Sequence, residues 1–228
     1  MLWCLKRKKK QVRSEKPDPV QVSDVKKDPS VLPAQVFPDG YKTMVLNLWS
    51  SMVVGANLMG KQKKGHIAWY IKKLREGKAR YISVSVELAK HGFDIPWEVI
   101  GVLHGLEASF DFNKQILNGQ SIKKKTTWVP KGHGPWDTWE DSCLSGFIVE
   151  TPYNPPPRKW TVTGTALFLE RWNGMGYWRK SNHPSPYLWS YSSAQKRGKY
   201  VSDGRFSSLA VSLQVGGMTM LKQVGFFS

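Results

Sequence analysis

The chain has 228 residues, of which 40% are hydrophobic and 12% aromatic, a composition typical of a globular protein with one sizeable core or two small ones. No apolar run reaches the ~20 residues that a membrane-spanning helix needs, and two cysteines, Cys4 and Cys143, do not make a disulfide framework. The formal net charge of +17 suits a polyanionic partner: nucleic acid, an anionic membrane or an anionic cell wall.

Residues 1–40 are predicted to form a basic, Pro-rich arm. The first thirty residues hold nine Lys or Arg and four Asp or Glu, a net +5 that leaves +12 on the rest of the chain. The arm has few large apolar residues, as a disordered tail does; the alternative is an anchor to virion proteins, nucleic acid or an anionic membrane. The basic start lacks the apolar segment of a secretory signal, so a protein acting outside the membrane would need another route out.

From residue 41 the apolar spacing becomes helical. Pro96 suits the first turn of a fourth helix, and Thr138 is the expected N-cap of a fifth. The sixth helix is closed by Gly174, and the last is weakened at Gly216-Gly217. The predicted helices cover residues 41–56, 65–77, 79–92, 96–109, 138–149, 161–174 and 208–224.

Three segments break the helical pattern. Asn118-Gly119 is a turn signal, and the Thr-rich stretch after it predicts a short β-hairpin. Residues 153–159 predict a loop, and a long aromatic loop is expected from Met175 to about Phe206. The predicted fold class is therefore mostly α, as one domain over residues 41–228 with a small β-hairpin after the fourth helix.

Glu107 lies on the apolar stripe of the fourth helix, together with Leu103 and Ile100. The ordinary explanation is a salt bridge or a bond at the helix C-terminus, for instance to His104. The functional explanation is a general acid, because burial would raise the pKa of the carboxyl until it holds a proton near neutral pH. Such a group can protonate the leaving oxygen of a glycosidic bond.

The surroundings of Glu107 resemble a known family. "GLEASFDFNKQI" is similar to the "ES-x-F" signature of goose-type lysozymes and lytic transglycosylases. Four blocks in the same order resemble a group of phage and bacterial lysozyme-like proteins: "IPWEVIGVLHGLEASFDFNKQILNGQSIKKKTTWVP", "TWEDS", "FLERWNGMGY" and "SPYLWSYSSAQKRGKYVSDGRF". The resemblance covers roughly residues 93–224. It implies an α+β lysozyme-like domain in which the hairpin flanks the active-site cleft.

Site residues follow from this resemblance position by position. Glu107 takes the place of the catalytic acid, and Thr126 falls on the Thr of the hairpin. The Trp172-Asn173-Gly174 segment resembles one whose aromatic and Asn line the saccharide cleft. The expected substrate-binding residues are Gln120, Thr126, Trp172, Asn173, Tyr177, Tyr187, Trp189 and Tyr191.

Gln120 departs from the pattern, because the similar proteins are expected to carry Asp there. Some lysozymes use a second carboxylate at this place to position water or stabilise the oxocarbenium ion. Gln cannot supply that charge. Three alternatives follow: a one-carboxylate reaction, as in lytic transglycosylases; another acid in its place; or low activity.

Other candidate residues favour structural roles. Glu140 and Asp141 lie in a first helical turn, where they stabilise the helix dipole. Glu170 fits a surface or cleft-edge pair with Arg171, and Cys143 fits a buried structural thiol. The five His show no metal-ligand spacing, and His104 is expected to be packed or to line the cleft.

Two functions remain open at this stage. The first is a peptidoglycan-cleaving muramidase or lytic transglycosylase that acts on the MurNAc–GlcNAc bond without metal or cofactor. Its partner would be the glycan strand, and its location the phage virion or the host cytoplasm before lysis. The second is a non-catalytic basic structural protein of the virion, or one associated with nucleic acid, on the same fold. The arm and the net charge favour this second function.

Overall fold

A computed structural model describes residues 35–227 except 129, 152, 182 and 203, with no side-chain description at 180 and 181. The predicted arm therefore lies largely outside the described residues. Its last six residues pack on the body: the Gln35 amide donates to the Gly164 carbonyl at 3.4 Å, and the Arg171 guanidinium donates to the Val36 carbonyl at 2.7 Å.

The described part of the chain is mostly α-helical with one small antiparallel sheet. Within it, no helix is both long enough and apolar enough to cross a bilayer. The helices are α1 (Tyr41–Ser50), α2 (Lys64–Glu76), α3 (Lys78–Lys90), α4 (Trp97–Ala108), α5 (Trp139–Glu150), α6 (Val162–Trp172), α7 (Gly176–Ser181), α8 (Pro186–Trp189) and α9 (Gly217–Val224); the strands are β1 (Lys199–Ser202) and β2 (Arg205–Ser207).

Helix α4 is the central element, and α2, α3 and α9 pack around it. Every residue of α4 from Val99 to Ala108 is buried. Gly101 lets the neighbouring helices approach, since an added Cβ would lie 2.3 Å from Leu74 and 2.8 Å from Tyr81. The segment is therefore buried on all sides, and one carboxylate, Glu107, lies within it.

Several helix boundaries agree with the sequence pattern. Thr138 caps α5 by accepting the Asp141 N–H at 3.1 Å, which confirms the predicted cap. Gly174 follows α6 with a φ of 90°, a conformation that favours glycine. Pro96 occupies the N-cap of α4 and not its first turn.

Two predicted helices are too long. Helix α1 ends at Ser50 because the chain then extends: the Val53 N–H donates to the Ser193 hydroxyl, the Ser193 N–H donates to the Val53 carbonyl, and Val54 bridges Ser192. Helix α9 begins at Gly217, since Gly216 lies against the Leu188 carbonyl in an extended conformation. The end of α1 and the start of α9 are thus both set by contacts with segments more than 20 residues away along the chain.

The predicted hairpin after Asn118-Gly119 is wrong for the residues described there. They form turns and an isolated bridge between Lys114 and Ser121. The strand pair occurs at β1 and β2, inside the predicted aromatic loop, where Lys199 pairs with Ser207 and Tyr200 with Phe206. The same loop also contains α7 and α8.

Candidate active site around Glu107

Glu107 occupies the last turn of α4, and 8% of it is exposed. After it, Ser109 and Phe110 both have left-handed backbone conformations, with φ of 54° and 60°. The chain therefore turns sharply away from α4, which leaves Glu107 at the end of a buried helix. Gln214 donates to the Leu106 carbonyl, a second contact that closes this end.

The hydroxyl of Tyr187 donates a hydrogen bond to Oε1 of Glu107 at 2.7 Å. The two residues are 80 positions apart, and Tyr187 is half-buried on α8. The bond holds one carboxyl oxygen in a fixed orientation. The orientation of the carboxyl group would then also set the direction of a proton carried on the other oxygen, Oε2. Two of the nine predicted site residues are thus in direct contact.

Helix α8 is fixed in position by its packing against α9. An added Cβ on Gly216 would lie 2.3 Å from the Leu188 carbonyl oxygen. The Gly216 N–H and the Thr219 hydroxyl both donate to the Ser190 carbonyl, at 3.1 and 2.9 Å. This close approach requires glycine, and it sets the position from which Tyr187 reaches Glu107.

Gln120 holds a turn in the loop after α4. Its Oε1 accepts the backbone N–H groups of Thr127 and Trp128 at 3.0 and 2.9 Å, and its Nε2 donates to the Thr127 hydroxyl at 2.9 Å. An acceptor oxygen is what this turn needs, and an amide provides it without charge. Position 120 therefore supplies no second carboxylate.

Thr126 is buried in the same loop. Its hydroxyl donates to the Pro130 carbonyl at 2.6 Å and accepts the His133 N–H at 3.0 Å. These side-chain hydrogen bonds add to backbone hydrogen bonds that Thr126 makes with Gly132 and His133. Thr126 organises the loop.

The predicted sugar-binding aromatics are distributed over several places. Trp189 is fully buried, and Trp172 packs in the core against Phe147 and Phe168. Their burial gives them packing roles and leaves no face open to a sugar. Tyr187 is the aromatic residue that reaches Glu107.

The two remaining predicted tyrosines and Asn173 have other surroundings. The Tyr177 hydroxyl accepts the Tyr200 N–H at 3.1 Å, which ties α7 to β1. The Tyr191 hydroxyl lies 2.7 Å from Nδ1 of His66, and burial raises its pKa. Asn173 is the C-cap of α6.

His104 faces a different part of the core from Glu107. Its Nδ1 lies 2.9 Å from the Tyr81 hydroxyl, and its ring centroid lies 4.6 Å from those of Phe112 and Trp139. Burial lowers the pKa of His104 to about 4. The histidine is packed, one of the two roles expected, and it is neutral near pH 7.

The other titratable candidates are in structural positions. Cys143 is fully buried and burial raises its thiol pKa well above the usual value, so the expected structural thiol is confirmed. Glu140 forms an ion pair with Arg80 at 2.5 Å, which the sequence did not indicate, and this pair lowers the pKa of the Glu140 carboxyl. Glu170 is buried, not at a surface, and it raises the pKa of Tyr41 in addition to the effect of burial.

A groove of about 790 Å³ lies elsewhere, between α2 and the chain before it. Its lining consists of Val54, Gly55, Lys64, Ile67, Ala68, Ile71, Lys72, Arg75, Glu76 and Gln223. No predicted site residue lines this groove, and a saccharide cleft beside Glu107 stays a prediction. Among the residues that the structure describes, no cluster of His, Cys, Asp or Glu could hold a metal ion.

No family model, no curated protein and no solved structure matches the chain. The resemblance to lysozyme-like proteins therefore stays a prediction from the four sequence blocks.

Proposed function

We propose that the protein cleaves the glycan strand of peptidoglycan between MurNAc and GlcNAc, with Glu107 as the general acid. The observation that carries this proposal is the buried Glu107 at the end of α4, hydrogen-bonded through Oε1 to the Tyr187 hydroxyl at 2.7 Å. A carboxyl at the end of a buried helix, with one oxygen held by a hydroxyl, is in the fixed position that a general acid requires. The resemblance to lysozyme-like proteins supports the same assignment.

The proposed reaction needs one carboxyl group. Glu107 donates its proton to the bridging oxygen as the C1–O bond breaks, and the sugar becomes an oxocarbenium ion. The 6-hydroxyl of the same sugar then attacks C1 and returns its proton to Glu107, which closes a 1,6-anhydro ring. Gln120 favours this route, because its amide is bound to the Thr127–Trp128 turn and position 120 has no charge to activate water.

Tyr187 is the positioning residue in this scheme. Its hydroxyl donates to Oε1, so Oε2 is the oxygen that would carry the transferred proton. Phage lysis or penetration of the cell wall is the process that we propose for such an activity, with the protein in the virion or in the host cytoplasm before lysis.

The test compares two buried glutamates in matched positions. Glu107 and Glu150 each lie in the last turn of a 12-residue helix, and each is 8% exposed. Glu107→Gln should lower the rate of wall clearing by at least ~10²-fold, the contribution expected of a general acid. Glu150→Gln should keep the activity of the parent protein. Equal activity in both variants and the parent would remove Glu107 from the mechanism.

Two further measurements define the reaction. Tyr187→Phe should lower kcat about tenfold, the loss expected when a hydrogen bond to the reacting carboxyl is removed, with KM nearly unchanged. Mass spectrometry of the released fragments should find 1,6-anhydro ends. Reducing ends would instead establish hydrolysis, and with it a water-activating group other than Gln120.

A further inference from the structure

The positive charge of the body is concentrated towards its C-terminal end. Residues 171–228 contain eight Lys or Arg and one acidic residue, Asp203, a net +7 out of the +12 carried beyond residue 34. Asp203 lies outside the described residues. This segregation raises the question of where the cations lie on the surface.

Four of these cations lie on the β1–β2 hairpin or in the residues just before it. An added Cβ on Gly198 would lie 2.5 Å from the Phe206 ring and 3.3 Å from His183. The φ of 113° at Gly198 also favours glycine. Glycine therefore lets the backbone just before β1 pass close to the Phe206 ring. We call the resulting surface the hairpin patch: Lys196, Arg197, Lys199, Arg205 and Phe206.

An aromatic layer supports the hairpin patch from below. The Tyr200 and Phe206 rings are cross-strand partners 5.4 Å apart, and both pack edge-on against Tyr177 of α7. The Tyr200 N–H donates to the Tyr177 hydroxyl. Even so, 43% of Phe206 stays exposed. The patch is thus a supported surface in which one open aromatic ring lies on the same hairpin as the cations.

The charges of the hairpin patch are uncompensated within the described residues. None of its four cations forms an ion pair there. Lys199 is half-buried, and burial lowers its pKa. Burial lowers the pKa of His183 as well, and the positive charge of Lys196 lowers it further. A half-buried ammonium without a carboxylate is stabilised by an anion that arrives from outside.

We propose that the hairpin patch binds single-stranded nucleic acid, with the cations on the phosphates and a base on Phe206. Grooves or patches that bind single strands combine these two features, because phosphate contacts supply affinity and an exposed aromatic ring stacks on any base. The proposal concerns a surface separate in sequence from Glu107, and it does not depend on the glycan-cleaving activity.

The test measures binding of the full chain to a labelled oligothymidylate by fluorescence anisotropy, from 50 to 300 mM salt. The hairpin triple K196S, R197S, R205S changes three exposed side chains. Each phosphate contact to a single strand contributes about −0.7 to the slope of log K against log salt. Three lost contacts should therefore make the slope shallower by about 2.

A matched triple corrects for the change in net charge. K61S, K63S and K64S remove the same three charges from exposed positions before and at the start of α2. This control triple should keep the slope of the parent chain. Equal slopes in the two triples would assign the binding to overall charge and overturn the proposal.

The stacking contact has its own readout. Phe206→Ala should weaken binding about tenfold with the salt slope unchanged, since base stacking does not release counterions. Phe206→Leu keeps an apolar side chain on the Tyr177 layer without a flat ring, and it should weaken binding similarly if the hairpin stays folded. Unchanged affinity in both variants would overturn the stacking contact.

Competition identifies the partner. Poly(glycerol phosphate) and duplex DNA should displace the oligonucleotide poorly, because neither presents an unstacked base to Phe206. If either polymer displaces the labelled oligothymidylate at the same concentration as unlabelled oligothymidylate does, the surface binds phosphate polymers in general. That result would overturn the assignment to single strands. Glu107→Gln should bind like the parent chain, which separates this activity from wall cleavage.

Discussion

The buried His104 gives the protein a defined loss of stability in mild acid. Its ring lies between Phe112 and Trp139, with Tyr81 on Nδ1, and burial lowers its pKa to about 4. An unfolded histidine titrates near 6.5. The unfolded chain therefore binds a proton at this position before the folded chain does, and the free energy of unfolding falls as the pH drops from about 6.5 towards 4.

The size of this effect follows from the two pKa values. One pKa unit corresponds to about 1.4 kcal/mol, so the full separation amounts to about 3 kcal/mol. Between pH 7 and pH 5 the expected loss is about 2 kcal/mol, because the unfolded histidine is almost fully protonated at pH 5 while the folded one is still mostly neutral. That loss is a large part of the stability of a typical domain.

Urea unfolding at pH 7 and pH 5 measures the loss. Since carboxylates also begin to titrate by pH 5, the informative quantity is the difference between the parent chain and His104→Gln, whose amide is neutral at both pH values and can still bond to Tyr81. The variant should lose about 2 kcal/mol less than the parent over this range.

If His104→Gln and the parent lose the same free energy of unfolding between pH 7 and pH 5, the burial of His104 does not control its titration and the reasoning fails.

Two further predictions concern the backbone around the site. Gly216→Ala should lower the free energy of unfolding by roughly 1–3 kcal/mol, because its Cβ would lie 2.3 Å from the Leu188 carbonyl; Gly65→Ala, with nothing within 4 Å, should raise it by up to ~1 kcal/mol. Both are measured by urea unfolding, and a Gly216→Ala variant as stable as the parent would contradict the close approach. Gln120→Ala should lower the free energy of unfolding by roughly 1–3 kcal/mol, because two backbone N–H groups lose their acceptor. Gln120→Glu keeps an acceptor oxygen and should retain most of the parent stability. Equal losses in the two variants would show that the turn does not need the acceptor.

The position of Glu107 could be predicted from the sequence because it depends on local information. The apolar residues of the fourth helix surround one carboxylate, and the helix ends at Ala108, just before the left-handed Ser109. The contact with Tyr187 was expected only as part of an aromatic segment. No local pattern specifies which of those aromatics reaches Glu107, since the choice depends on how α8 packs against α9.

The misplaced hairpin has a related cause. The stretch after Asn118-Gly119 has the composition of a β-turn and strands. Its backbone hydrogen bonds are limited to local ones such as those of Thr126 with residues 132 and 133, while the Gln120 and Thr126 side chains accept further N–H groups. The pattern around Tyr200 and Phe206 looks like an aromatic loop. There, cross-strand packing on Tyr177 stabilises a strand pair, and that stabilisation comes from a helix far back in the chain.

The sequence by itself determined the helical class, the cap at Thr138 and a carboxylate in an apolar helix, because each depends on residues within a turn or two of one another. Tertiary structure alone decided which aromatics are buried, where the strands form, and which hydroxyl meets Glu107. These outcomes depend on close approaches such as Gly216 on Leu188, which bring together segments far apart along the chain and are set by packing, not by local preference.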